Sequence, residues 1–159
     1  RLTCGRFRTW TLIHKADSVQ QGASFYLYEA KRIRRFLSQV ESDRKRPHLI
    51  VVDEFYSGTN SSERVAASVA VLRYLEEEGC LTIAATHDHE IAEALSYSYA
   101  LWYFDSSVSE SGLEFDYRLK KGVVRSTNAI ALLDALGYPR QVIAAAHKLA
   151  EAESRSDPG

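Results

Sequence analysis

The sequence predicts an α/β fold, with a parallel sheet core, an added β-hairpin and a C-terminal helical pair. Two predominantly apolar segments, residues 49–52 and 81–85, are separated by a segment of helical periodicity. Strands that alternate with helices in this way pair in parallel and are joined by right-handed crossovers. After residue 99 the pattern changes to two strand-like segments and then two helical segments, which predict the hairpin and the helical pair.

The N-terminal part predicts a strand, a loop and a helix. Residues 8–14 alternate and are partly β-branched or aromatic, and residues 16–23 form a polar stretch with a glycine. A helix is expected over 24–40, with Ser24 as its N-cap, because apolar residues recur at helical spacing. Its opposite face carries the cations Lys31, Arg32, Arg34 and Arg35. Such a face could meet phosphates, but it is more often solvated.

The central run 49–52 contains no polar residue, which predicts a strand buried on both faces. Asn60 and Glu63 have the spacing of a capping box, so a helix is expected over 61–78, with Gly79 as its stop. The remaining segments are assigned as a buried strand at 81–85, a short helix from the cap Asp88 to 97, strands at 99–104 and 113–120 joined by a polar loop at 105–112, and helices at 126–136 and 139–152.

Composition is that of an ordinary globular domain. Of the 159 residues, 45% are hydrophobic and 26% are charged, and the net charge of -1 gives no overall electrostatic footprint for nucleic acid. Cys4 and Cys80 have no metal-site spacing, and no apolar run approaches the about 18 residues of a membrane span. A reduced, cytoplasmic protein is expected. Because the sequence opens at Arg1 without a methionine, we expect a fragment of a longer protein.

Two adjacent carboxylates, Asp53 and Glu54, end the central strand. Neighbouring acids repel, and burying either is costly unless a cation or hydrogen bonds compensate. One interpretation is a Walker B strand, in which Asp53 helps to hold Mg²⁺ and Glu54 prepares a water for attack on a phosphate. The other is a strand that simply emerges into solvent at a turn. This stretch alone leaves both interpretations open.

A second predicted strand also ends in polar residues. Residues 81–85 lead into Thr86 and His87, and ligands of open α/β sheets bind beyond the carboxyl ends of the strands. An Asp, a Glu and a His that converge there suit phosphoryl transfer. A competing interpretation is a metal cluster of His87, Asp88 and His89 with Asp53, although His89 is more simply a surface residue. The sequence shows no serine or cysteine nucleophile motif.

These motifs together resemble the ATPase domain of MutS-type mismatch-repair proteins. The resemblance rests on five segments, which lie between about residues 10 and 152: Asp17-x4-Gly22-x-Ser24-x4-Glu29, Val51-Val-Asp53-Glu54, Gly58-Thr59-Asn60, Ala84-Ala-Thr86-His87, and Asn128-Ala-Ile130 through Val142-Ile143. The resemblance implies an ABC-type P-loop NTPase fold of which only part is present. It further implies ATP and Mg²⁺ as cofactors.

The resemblance also implies a role for each matching residue. Asp53 is expected to support Mg²⁺, Glu54 to act as the catalytic base, and His87 to contact the γ-phosphate. Ser24 corresponds to the serine that reaches the nucleotide of the partner subunit. Gly58, Thr59 and Asn60 are expected to form a cofactor-binding loop at the subunit interface. The implied domains are the C-terminal half of the ATPase domain at 1–125 and a helix-turn-helix that helps dimerisation at 126–153. The remaining residues, 154–159, are expected to form a disordered tail.

The P-loop pattern Gly-x4-Gly-Lys-Ser/Thr does not occur in these residues. The isolated chain is therefore expected to be inactive, and ATP hydrolysis is expected only in a full-length homodimer. The upstream domains of that homodimer are expected to bind mismatched or otherwise structured DNA. No membrane partner is expected. Two alternatives stay open. One is another ABC-type DNA-repair or chromosome ATPase, and the other is a non-catalytic dimerisation module.

Overall fold

A computed structural model describes residues 6–13, 23–56, 59–109, 112–124 and 128–156. The chain forms two compact units, Arg1–Tyr99 and Ala100–Gly159. The hairpin groups with the C-terminal helices in the second unit, whereas the sequence predicts a boundary at residue 125. The first unit contains β1 (Arg8–Leu12), α1 (Ala23–Ser42), β2 (His48–Asp53), α2 (Ser61–Glu77), β3 (Leu81–Ala85) and α3 (His89–Ala94).

The three strands of the first unit form a parallel sheet in the order β1-β2-β3. This arrangement confirms the parallel pairing that the sequence predicts. Since the strand order follows the chain and parallel crossovers are right-handed, α1 and α2 are expected on the same face of the sheet. The core agrees, because buried side chains of both helices cluster with those of the central strand, including Phe36, Val40, Ile50, Leu72 and Leu75.

Burial alternates along the sheet, and this corrects two predictions. In β2, Ile50 is 0% exposed, but Leu49 and Val51 are only half-buried, so the strand is not buried on both faces. In β3, Leu81 is 53% exposed and Ile83 is 58% exposed, so this strand is not a buried one. The reason is topological. Within the described part of the first unit, α1 and α2 cover one face only, and β3 has no further strand beyond it.

Both ends of α2 lie where the sequence predicts them, whereas the start of α1 does not. The side chain of Asn60 accepts a hydrogen bond from the Glu63 backbone N–H at 2.9 Å, which confirms it as the N-cap of α2. Gly79 adopts a φ of +69° just after α2 and confirms the predicted stop. However, α1 already begins at Ala23, so Ser24 lies inside its first turn and not at the N-cap. Of the predicted loop at 16–23, residues 16–22 lie outside the described residues.

The second unit contains β4 (Trp102–Ser109), β5 (Gly112–Lys121), α4 (Ala129–Ala135) and α5 (Arg140–Ser156). The antiparallel pairing of β4 and β5 confirms the hairpin. The predicted polar loop at 105–112 is wrong, because both strands continue into that segment through a register shift between Phe104 and Ser106. Helix α5 reaches three residues into the tail predicted at 154–159, of which 157–159 lie outside the described part. Among the described helices, none combines the length and apolarity needed to cross a membrane.

Candidate functional site

The polar ends of β2 and β3 lie side by side. Asp53 and Ala85, the last residues of the two strands, are paired in register, and the Glu54 backbone N–H donates to the Ala85 carbonyl at 3.0 Å. The segment of Thr86 and His87 therefore leaves the sheet next to Glu54. The predicted convergence of the two strand ends is confirmed, and it follows from the parallel pairing of neighbouring strands.

Glu54 and His87 contact each other through two groups of the histidine. The Glu54 Oε1 atom accepts a hydrogen bond from the His87 backbone N–H at 3.0 Å, and it lies 2.8 Å from the His87 ring Nδ1. The other carboxylate oxygen, Oε2, is buried and has no hydrogen-bond partner among the described residues. A buried acceptor without a partner is costly, so this oxygen is available to a donor such as a water.

The backbone turn after β2 is strained at the glutamate itself. Glu54 has a φ of +62° and Tyr56 a φ of +53°, values in the left-handed region that non-glycine residues seldom adopt. Each such residue costs on the order of 1 kcal/mol, and backbone strain of this kind clusters at functional sites. The turn also separates the two acids. Asp53 is exposed at the strand end, whereas the Glu54 carboxylate is engaged with His87.

An ion pair that the sequence does not predict lies beside this contact. The Arg64 guanidinium in α2 binds both carboxylate oxygens of Asp88, with Nε–Oδ2 at 2.8 Å and Nη2–Oδ1 at 2.7 Å. This bidentate hydrogen bonding holds the pKa of the Asp88 carboxyl below its usual range and raises the pKa of Arg64. Asp88 precedes α3 as its N-cap residue, but its side chain makes no capping bond because Arg64 occupies it. No spacing rule links two residues 24 positions apart, so sequence patterns could not reveal the pair.

The structure groups potential metal-ligating atoms differently from the predicted transition-metal cluster. Glu54, His87 and Asp88 each offer one such atom, and these atoms lie within 4.8 Å of one another. Neither Asp53 nor His89 belongs to this group. Asp53 instead presents an exposed carboxylate with no ion pair to any described residue. Mg²⁺ is usually bound by one or two protein carboxylates together with phosphates and water, so a single exposed carboxylate is a suitable ligand.

The remaining predicted site residues are only partly described. Thr59 donates its backbone N–H to the Tyr56 carbonyl at 3.2 Å, and Asn60 caps α2. Gly58 and the side chain of Ser24 lie outside the described part of the chain. Helix α1 nevertheless reaches the site, because the buried Glu29 lines a small cavity together with Glu54.

Comparison with known proteins identifies the family. Residues 6–153 match the family described as MutS domain V. "Endonuclease MutS2" of Halothermothrix orenii is 34% identical over 134 residues, which are 80% of this chain and 16% of that protein. "DNA mismatch repair protein MutS" of Natronomonas pharaonis is 26% identical over 145 residues, which are 89% of this chain and 16% of that protein.

A second "Endonuclease MutS2", from Synechocystis sp., is 35% identical over 104 residues, which are 61% of this chain and 12% of that protein. The chain thus spans well under a fifth of the length of these relatives. The family match extends over both compact units and includes the ends of β2 and β3, where Glu54 contacts His87. The chain belongs to the MutS domain V family, the ATPase domain of MutS proteins.

Proposed function

We propose that this chain supplies one half of an ATP-hydrolysing site, and that in the whole protein this site is coupled to DNA binding by a MutS-like dimer. One observation carries the proposal. At the carboxyl ends of two neighbouring parallel strands, Glu54 holds His87 through Oε1, and its second oxygen has no hydrogen-bond partner within the described part of the chain. In a member of an ATPase domain family, this arrangement is expected when Glu54 is a base that orients a water and His87 contacts the γ-phosphate.

Each residue has a distinct part in the proposed reaction. Asp53, exposed at the strand end, would hold Mg²⁺, which neutralises phosphate charge when it is bound. The Oε2 atom of Glu54 would accept a hydrogen bond from the attacking water and orient it toward the γ-phosphate. The His87 ring, next to the other oxygen of Glu54, would turn toward the same phosphate. In this proposal the site is that of a P-loop NTPase of the ABC type.

We propose that the phosphate-holding half of the site is supplied by residues outside these 159. A P-loop cradles phosphates with backbone N–H groups and a lysine, and the 159 residues contain no such motif. DNA contacts are likewise proposed for other parts of the protein, since relatives named for mismatch repair are about six times longer than the matched segment. Ser24, Gly58, Thr59 and Asn60 would face the partner subunit of a homodimer, with α4 and α5 helping dimerisation.

The test is ATP hydrolysis by the protein extended to include a P-loop, measured as a function of Mg²⁺ concentration. We expect Mg²⁺-dependent turnover with the extension and none in the 159-residue chain alone. We also expect Asp53→Asn to raise the Mg²⁺ concentration required by about tenfold or more, because one of few protein ligands is lost. An extended protein that hydrolyses no ATP would refute the proposal, and one that also binds no nucleotide would favour a non-catalytic dimerisation module.

A further inference from the structure

The Arg64–Asp88 ion pair lies where a positioning element would act on the proposed site. The side chain of Arg64 is 15% exposed and that of Asp88 is 9% exposed. Two charges withdrawn this far from water are stabilising only if their hydrogen bonds are well formed, and the bidentate geometry meets that condition. The proposed function gives neither residue a contact with the nucleotide, so a role in the reaction has to act through a neighbour.

That neighbour is His87. Asp88 follows it directly in the chain, and the Asp88 Oδ1 atom lies 3.8 Å from the His87 ring Nε2. The Asp88 backbone N–H donates to the Thr86 hydroxyl at 3.1 Å, which closes the turn around the histidine. The ring is thus placed between two carboxylates, with Nδ1 facing Glu54 and Nε2 facing Asp88. Arg64 neutralises the second carboxylate and holds it in place.

Arg64 also contacts the loop that precedes α2. The Arg64 backbone N–H donates to the Asn60 carbonyl at 3.1 Å, and Asn60 is the N-cap of the helix. A continuous series of contacts therefore runs from Asn60 through Arg64 and Asp88 to His87. Thr59 and Asn60 belong to the loop that the proposed function places at the subunit interface.

We propose that Arg64 and Asp88 are positioning residues, which fix the turn that carries His87 to the first turn of α2 and so keep that turn beside Glu54. Through them, a displacement of the Thr59–Asn60 loop would also displace His87. The catalytic consequence of this proposal rests on the proposed function. The structural consequence is that the environment of the His87 ring depends on Arg64. This consequence does not rest on the proposed function.

The structural consequence is tested in the 159-residue chain by NMR of the histidine ring nitrogens, with the His87 signals assigned through His87→Gln. We expect Arg64→Gln to shift and broaden the His87 ring resonances. The matched control is Arg44→Gln, which breaks an ion pair of similar length (Arg44 Nη2 to Glu78 Oε1, 2.7 Å) that is more exposed and has no contact with the turn. The control is expected to leave the His87 resonances in place.

A second variant keeps the test informative if Arg64→Gln does not fold. If Arg64→Gln unfolds the chain because Asp88 remains as a buried unpaired charge, the double variant Arg64→Gln/Asp88→Asn removes both charges and retains polar partners. It is expected to give the same shift of the His87 resonances. Unchanged resonances in the folded double variant would overturn the positioning role, whatever the turnover of any variant.

The catalytic consequence is tested in the protein extended to include a P-loop. We expect Arg64→Gln and Asp88→Asn each to lower kcat by about tenfold to 100-fold with little change in KM, because misplacing a reacting group affects the chemical step. The double variant should lose no more than either single one, since the two residues act as a unit. If His87 shifts as expected but the wild-type extended protein hydrolyses no ATP, the proposed function fails while the positioning role is supported. Additive losses of kcat in the double variant would contradict action as a pair.

Discussion

Glu54 Oε1 is bound by both the backbone and the ring of His87, at 3.0 Å and 2.8 Å. The two residues are 33 positions apart in the chain and meet because their strands are parallel neighbours. In the proposed reaction, a γ-phosphate would draw the ring of His87 away from this oxygen, whereas the backbone hydrogen bond would remain. Glu54 would thus stay in place while its ring partner responds to the nucleotide.

The first prediction concerns the histidine ring. In the protein extended to include a P-loop, His87→Ala is expected to lower kcat for ATP hydrolysis by about 100-fold, the usual cost of removing one preorganised donor. His89→Ala is the matched control, because His89 is exposed in the first turn of α3 and lies outside the group formed by Glu54, His87 and Asp88. Steady-state assays compare the two variants, and equal turnover would contradict the assignment of His87.

The second prediction concerns the one-sided burial of the sheet. Ile50→Ala is expected to destabilise the chain by about 2–5 kcal/mol, because it removes a fully buried side chain and leaves a cavity. Ile83→Ala makes the same chemical change at a site that is 58% exposed, and it should cost less than about 1 kcal/mol. Urea denaturation measures both free energies of unfolding. Equal losses would show that the Ile83 face is covered in solution.

The third prediction concerns the N-cap of α2. Asn60→Ala removes the acceptor for the Glu63 N–H and should lower the free energy of unfolding by about 1 kcal/mol. Ser61→Ala, at the first residue of the same helix, is the control and is expected to change stability by less than about 0.5 kcal/mol. Thermal unfolding followed by circular dichroism distinguishes the two. A neutral Asn60→Ala would mean that the capping bond does not form in solution.

The fourth prediction concerns pH. Because the pKa of Asp88 is lower in the folded chain than its ordinary value of 3.8, its ion pair contributes stability that is present above that value. The contribution is lost as the pH falls through the lower folded pKa. The stability difference between wild type and Asp88→Asn should therefore be largest near pH 7 and shrink below about pH 4. Asp134→Asn, at an exposed acid of α4, is the control. A difference independent of pH would contradict the role of the ion pair.

The sequence could predict the meeting of strand ends but not the contacts formed there. Asp53 and His87 follow apolar runs, and the rule for parallel neighbours brings such ends together. The Glu54–His87 contact also requires a left-handed backbone at Glu54, which no local pattern specifies. The exposure of Ile83 was missed as well, because apolar composition does not tell which face of a strand the helices cover.

The role of Glu54 as catalytic base is tested most directly by turnover of the Glu54→Gln variant in the protein extended to include a P-loop. Glutamine keeps the shape of the side chain but cannot accept a proton, so we expect hydrolysis to fall by about 100-fold or more while ATP binding is retained. Glu77→Gln, at an exposed acid near the end of α2, is the matched control and should hydrolyse ATP normally. Stable retention of unhydrolysed ATP by Glu54→Gln is the predicted result. Hydrolysis at the wild-type rate would contradict Glu54 as the catalytic base.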